Sequence, residues 1–247
     1  MIDTAIILAA GRGSRLKEIT KDRPKGFIII NQKPIIEESI IKLFEAGIKH
    51  IIIGTGYYFE KYNELAETYS HVICVKNELY AKSGSMYTLY NMRDYILTDF
   101  LLLESDLIYE RIGLDLLIKS PWPDTLLTSG KTNSSDEGYV EINDNNCLVN
   151  VSKDPTKLEN IHSEMVGISK ISYPTFQKLC TFAEKSFWQD LMLDYEYALV
   201  GIARDTDIHI LKIEDFIWSE IDDEAQLIRA QNVIYPKILK GESNEKN

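Results

Sequence analysis

Small residues, glycine and positive charge are interleaved in one short stretch near the N-terminus, LAAGRGSRL at 8–16, and RPKG follows at 23–26. Leu8, Ala9 and Ala10 end an apolar run, so a ligand can lie directly against backbone. Gly11 and Gly13 permit close approach and unusual φ angles. Arg12 and Arg15 can face phosphate oxygens beside the Ser14 hydroxyl, and Lys25 adds a compact cation. A nucleoside triphosphate carries about four negative charges, which need several positive partners before another anion can attack it. A lone GxG more often marks a structural turn. The length and order of this string favour a phosphate site.

The elements that must hold these residues are legible from periodicity. Residues 4–9 form an apolar run of strand type. Pro34 opens a helical pattern with Ile35, Ile36, Ile40, Leu43, Phe44 and Ala46 at helix spacing, and Gly47 ends it. Strands are predicted at 50–53, 72–75 and 100–103, and helices at 59–69 and 85–93. Strand alternating with helix implies a mostly parallel sheet with helices on both faces. Ligands of such sheets sit outside the carboxyl ends of the strands. The glycine loop after the first strand and Asp106 after the fourth therefore share one rim. The second half is more mixed: strands at 126–128, 139–142, 148–151, 165–169 and 208–213, helices at 173–185 and 189–200, and a segment at 217–221 leading into a last helix at 223–234. Asp222 or Asp223 would cap that helix. The polar run at 240–247 reads as a disordered tail or the start of a linker. The rest, 1–239, reads as one domain.

Composition narrows the function. The 247 residues are 45% hydrophobic and 26% charged, normal for a globular protein, with a net charge of −11. That balance argues against binding a nucleic-acid backbone, which wants clustered Lys and Arg. Cys74, Cys147 and Cys180 are scattered and odd in number, so neither a disulfide framework nor a zinc knuckle is indicated. The apolar run at 5–10 has no basic residue before it, and no run reaches about 18 apolar residues. A cytoplasmic enzyme without membrane contact is expected. His50, His71, His162 and His209 are scattered and need no role.

LAAGRGSRLKEITKDRPKG, followed by KPIIEESIIKLFEAGIKHIIIGTGY at 33–57, resembles the sugar-nucleotidyltransferase superfamily. The likeness returns at Asp106 and at SEID, 219–222. It implies a Rossmann-like, GT-A-like α/β fold, a mixed and mostly parallel sheet flanked by helices with a smaller α+β region on the substrate side. By this resemblance the loop from Leu8 to Ser14 would hold base, ribose and triphosphate, with Tyr80 and Ser85 bordering the nucleotide. Arg15 and Lys25 would act on the phosphates as catalytic residues. Asp106 and Asp222, joined by Glu220, would hold Mg²⁺, a cation that prefers hard oxygen ligands. Asp223 would be a cap or face solvent.

The short chain is similar to the CTP-dependent branch of the superfamily that acts on choline phosphate or 2-aminoethylphosphonate. Lys82, Ser83 and Ser85 interrupt the asparagine-rich form of the choline-phosphate type, which favours the phosphonate. The expected partners are CTP and a small zwitterionic phosphonate or phosphate. A quaternary ammonium wants an aromatic cage, whereas a primary ammonium wants hydrogen-bond acceptors. Tyr139, Trp188, Tyr195, Tyr197 and Trp218 are the aromatic candidates, and Glu164, Asp190, Asp194 and Glu196 the acidic ones. Lys82 and Lys153 would grip the phosphorus acid. Lys82, Lys153, Glu164, Asp194, Tyr195 and Trp218 make up the expected acceptor wall. Choline phosphate, a sugar 1-phosphate, or an inactive nucleotide-binding regulatory domain are the alternatives. The polar tail leaves open a fusion to, or association with, a further pathway enzyme such as a transaminase.

Overall fold

The computed structural model describes residues 2–134 and 138–244. Its centre is strand β1 (Thr4–Ala9), flanked by β2 (His50–Thr55) and β4 (Phe100–Glu104), with β3 (Val72–Lys76) beyond β2; all four are parallel. Helices α1 (Ile35–Glu45), α2 (Phe59–Thr68) and α3 (Ser85–Asn91) make the crossovers. β1 is covered on both faces, so its residues are continuously apolar instead of alternating with polar ones. Its side chains still alternate in direction. Ile6 and Leu8 join one core with Met86, Leu89 and Phe100. Ala5, Ile7 and Ala9 join the other with Ile36, Ile40 and Leu43 of α1.

The sheet then changes direction. Beyond β5 (Leu107–Tyr109), α4 (Ile112–Lys119), β6 (Thr125–Ser129), β7 (Tyr139–Ile142) and β8 (Leu148–Ser152), strand β9 (Ser163–Ile171) adds antiparallel to β4. β6 and β7 pair antiparallel with β9, β8 with β7, and β10 (His209–Ile213) runs parallel to β6. The nine strands form the expected mixed α/β sheet. Helices α5 (Tyr173–Ser186) and α6 (Tyr195–Ile202) cover its antiparallel half. A separate pair, β11 (Trp218–Glu220) antiparallel to β5, returns the end of the chain to the rim of the sheet.

Two expectations are corrected. The helix expected over 189–200 starts only at Tyr195. Residues before it turn at Asp190, whose carboxylate accepts the Met192 N–H at 2.8 Å, and then pair with the start of α3: Gly84 N donates to Leu191 O at 2.9 Å and Met86 N to Leu193 O at 3.2 Å. A Cβ on Gly84 would stand 2.3 Å from the Met192 and Leu193 carbonyl oxygens, so only glycine allows this crossing. The run from Lys240 is not structureless throughout. After α7 (Glu224–Arg229) and a π-helical turn, Ala230–Ile234, helix α8 (Tyr235–Asn244) carries it to Asn244, and Glu242 pairs with buried Lys42 at 3.3 Å. Residues 245–247 lie outside the described part. α4 and β5 were not foreseen. No described helix is long and apolar enough to cross a membrane.

Candidate active site

β1 ends at Ala9, and the chain enters the glycine loop at the carboxyl edge of the sheet, beside Glu104 at the end of β4. Ser105 N donates to Leu8 O at 3.1 Å, which extends the pairing by one residue and turns Asp106 toward the loop. Ile221 N donates to Asp106 O at 3.1 Å. This bond, with the β5–β11 ladder, brings Glu220 and Asp222 from the far end of the chain beside Asp106. Asp222 N donates to Gln226 Oε1 at 2.6 Å, and Asp223 Oδ1 caps α7 by accepting the Gln226 N–H at 2.8 Å. Adjacent aspartates thus divide the work: Asp223 caps and Asp222 faces the loop.

A third core fastens the loop in place. Leu16, Ile28 and Ile30 pack with Ile108, Ile221, Leu227, Ile234, Tyr235 and Ile238. The loop, β5 and the C-terminal helices therefore share one apolar interior. Above it, Lys25 Nζ donates to Asp106 Oδ2 at 2.8 Å and also to Asp222, whose other oxygen accepts from Arg15. Gly13 adopts φ 61°, and a Cβ there would lie 2.7 Å from Lys25 Cγ, so the left-handed turn and the lysine stem require this glycine.

The electrostatics follow from burial among like charges. Burial alone would lower the Lys25 pKa, but Asp106 and Asp222 raise it well above the usual lysine value. Asp222 is opposed by burial yet held far below the usual carboxylate range by its hydrogen bond to Glu220 and by Lys25 and Arg15. Burial, then the charges of Asp106 and Glu104, push Glu220 up to about 10. Burial, then Asp106 and Glu196, push Glu104 up to about 8 against the Tyr195 hydroxyl, which donates to Glu104 Oε1 at 2.7 Å. With Glu220 and Glu104 favouring the protonated form, Lys25 and Arg15 balance Asp106 and Asp222, and a divalent cation bound here would favour ionised Glu220. Asp106, Glu220 and Asp222 each offer an oxygen, all within 4.8 Å of one another. An all-oxygen set of this kind fits Mg²⁺, which keeps water and phosphate oxygens in its remaining positions.

These groups open on a cleft of about 420 Å³. Leu8, Ala10, Gly11, Gly13, Ser14, Arg15, Lys25, Tyr80, Ser85, Asp106, Lys153, Asp194, Tyr195, Glu220 and Asp222, all expected from the sequence, line it. Five others do not. Ala9 points into the core behind the sheet. Arg12 is exposed, with its guanidinium 5.8 Å from the Tyr57 ring centroid. Lys82 is on the surface. Glu164 is buried and accepts the Thr132 N–H at 2.8 Å and hydroxyl at 2.7 Å; its neighbour Met165 faces the cleft side, and strand alternation sends Glu164 to the other face. Trp218 is buried and donates from Nε1 to Ser129 Oγ at 2.9 Å. Trp188 is 92% exposed and stands clear of the cleft wall.

Glu104, Ser83 and Thr88 also line the cleft and were not expected. Glu104 stands two residues before Asp106, where strand alternation offers a signal for its direction. Ser83 and Thr88 are tied together by Asn77, whose Nδ2 donates to both hydroxyls at 3.0 Å, a contact that spacing does not reveal.

A basic glycine loop that faces an acidic triad across the carboxyl edge of a parallel sheet fits nucleotidyl transfer. Residues 4–153 match the Nucleotidyl transferase family, and the chain belongs to it. Over 232 residues it is 27% identical to the choline-phosphate cytidylyltransferase of Streptococcus pneumoniae, covering 93% of this chain and 97% of that one. Over 235 residues it is 28% identical to the 2-aminoethylphosphonate cytidylyltransferase of Lancefieldella rimae, covering 90% and 89%. The solved structure of the CTP:phosphocholine cytidylyltransferase from S. pneumoniae is similar, with a TM-score of 0.81, 26% identity, and 94% and 99% of the two chains covered.

Proposed function

We propose that this nucleotidyltransferase transfers CMP from CTP to 2-aminoethylphosphonate and releases pyrophosphate. An ionised phosphonate oxygen attacks the α-phosphorus in line. That oxygen already carries its charge at neutral pH, so no general base is required, and positioning with charge neutralisation carries the rate. Backbone N–H groups of the loop at 11–14 and the side chains of Arg15 and Lys25 receive the triphosphate. Asp106, Glu220 and Asp222 would hold Mg²⁺, which when bound supplies further neutralisation of the phosphates. Similarity to cytidylyltransferases, the CTP:phosphocholine enzyme of solved structure among them, supports the choice of nucleotide.

The observation that carries the acceptor is the wall of the cleft. Glu104, Asp194 and Glu196 line it with Lys153, its aromatic residues are Tyr62, Tyr80 and Tyr195, and the adjoining recess beside Glu196 and Lys153 adds a single exposed ring, Tyr197, which is not a cage. Tyr62 and Tyr195 are each 1% exposed, so they show an edge at most, and Tyr80 sits beside Gly56 near the glycine loop. Such a wall suits an ammonium that donates hydrogen bonds, because a quaternary ammonium needs exposed aromatic faces.

The test is pyrophosphate release with Mg²⁺ across four nucleoside triphosphates and four acceptors: 2-aminoethylphosphonate, choline phosphate, ethanolamine phosphate and glucose 1-phosphate. Turnover with CTP and the aminophosphonate is expected. A clear preference for choline phosphate would reverse the reading of the acceptor wall. Turnover confined to glucose 1-phosphate with UTP or dTTP would overturn the cytidylyl assignment.

A further inference from the structure

Two of the three carboxylates that could hold a divalent cation are already bound by cations of the chain itself. Asp222 has one oxygen on Arg15 and the other on Lys25, and the same ammonium binds Asp106 at 2.8 Å. The two side chains are held very differently. Lys25 is 17% exposed, its stem lies against Gly13, and its backbone is locked by Phe27 N to Pro24 O at 3.0 Å and Ile28 N to Lys25 O at 2.9 Å. Arg15 is 54% exposed on its way to an Asp222 carboxylate that is 4% exposed. One partner is rigid and enclosed, the other open to solvent.

Arg15 and Lys25 are also the cations that face the triphosphate in the nucleotidyl-transfer reading, on which this inference rests. An ammonium bound to two carboxylates has one of its three N–H donors left. A phosphate that takes up the remaining donors competes with Asp222 for the same positive charge and so weakens the hold of each side chain on it. We propose that Arg15 and Lys25 act as an internal counterion that keeps the acidic triad from binding free divalent metal until nucleotide phosphates draw them away, so that metal and nucleotide load together. Metal and the Lys25–Arg15 clamp compete for the same Asp222 and Asp106 carboxylates. Whatever weakens the clamp must therefore strengthen metal binding, by linkage.

The test is titration of the full chain with Mn²⁺ in the absence of any nucleotide, with free Mn²⁺ read by its electron paramagnetic resonance signal. The wild type is expected to bind weakly. Arg15→Gln should tighten binding several-fold, and Lys25→Met by about tenfold or more, within the usual span of coupling between sites. Arg12→Gln removes a positive charge from the same loop, from a guanidinium that lies over Tyr57, and should leave the affinity within about twofold. Equal affinities in the wild type, Arg15→Gln and Lys25→Met would overturn the proposal. So would a gain in Arg12→Gln as large as that in Arg15→Gln, because the effect would then be bulk charge. Should Lys25→Met fail to fold, the half-exposed Arg15 carries the test alone. With no nucleotide or acceptor in the sample, the titration stands apart from the transfer assay, so failure of the CTP or acceptor assignment would be visible there and not here.

Discussion

Glu196 shows how position sets the behaviour of a single group. It sits one residue after Tyr195 at the start of α6, facing Asp194 and the cleft. Burial, then the Asp194 charge, push its carboxyl up to about 7 from an ordinary 4.5, against the pull of Lys153. A folded pKa raised above the unfolded one means that the fold favours the protonated form. The associated stability is fully present below about 4.5 and is lost as pH rises through about 7. Glu196→Gln, which is neutral at every pH, should therefore gain in melting temperature over the wild type as pH rises from about 4.5 to about 7, then hold a constant gain above it. A difference that stays flat across that window would mean that Glu196 is solvated like a surface carboxylate. Glu196 appears in the sequence as one acid among several near position 190. Its selection over Asp190, which only turns the chain toward α3, is a matter of packing.

At the scale of elements, the segment of residues 14–30 consists of short pieces, 3-10 turns at Ser14–Thr20 and Lys25–Phe27 and a two-residue strand, Ile29–Ile30. Its place is set by burying Leu16, Ile28 and Ile30 among the C-terminal helices and Ile221. Leu16→Ala should cost about 2–5 kcal/mol of stability, as expected for a buried leucine. It should also lower kcat by moving Arg15 and Lys25 against Asp222, since misplacement on the order of 1 Å can cost about a hundredfold. Denaturant melts and steady-state rates check both; a stability loss with kcat unchanged would mean that the loop is positioned by other contacts. The helix that fails to form over 189–194 teaches the same lesson from the other side. Its residues have helical spacing, but long-range hydrogen bonds from Gly84 and Met86 and the turn at Asp190 outweigh that local preference.

The whole molecule is organised so that an early and a late segment of the chain meet at the cleft. The loop follows β1, and Glu220 and Asp222 arrive with β11, so a nucleotide held between them would bridge the parallel half of the sheet and the C-terminal helices. A ligand bound only by the folded state stabilises it by about 2.7 kcal/mol at a hundred times its Kd. A clear rise in melting temperature with CTP and Mg²⁺ together is expected. A rise with UTP or GTP as large as that with CTP would count against cytosine selection.

Much of the site was legible because its chemistry is local in sequence. The LAAGRGSRL loop and Lys25 stand out by residue type and order, Asp106 by its place after the fourth strand, and the SEID segment by family resemblance, while the strand–helix alternation of the first hundred residues follows from hydrophobic period. Short-range order of that kind is written in consecutive residues. The tertiary structure alone decided which acids and aromatics face the cleft. Glu164 and Trp218 carry the right chemistry, but the direction of β9 and the packing of β11 turn them toward Thr132 and Ser129. Glu104 enters because β4 ends beside Leu8, and Asp222 meets Lys25 because the β5–β11 ladder closes across almost the whole chain. A side chain's type sets what it can do. What it faces depends on strand direction, register and packing against distant residues, which no window of sequence contains.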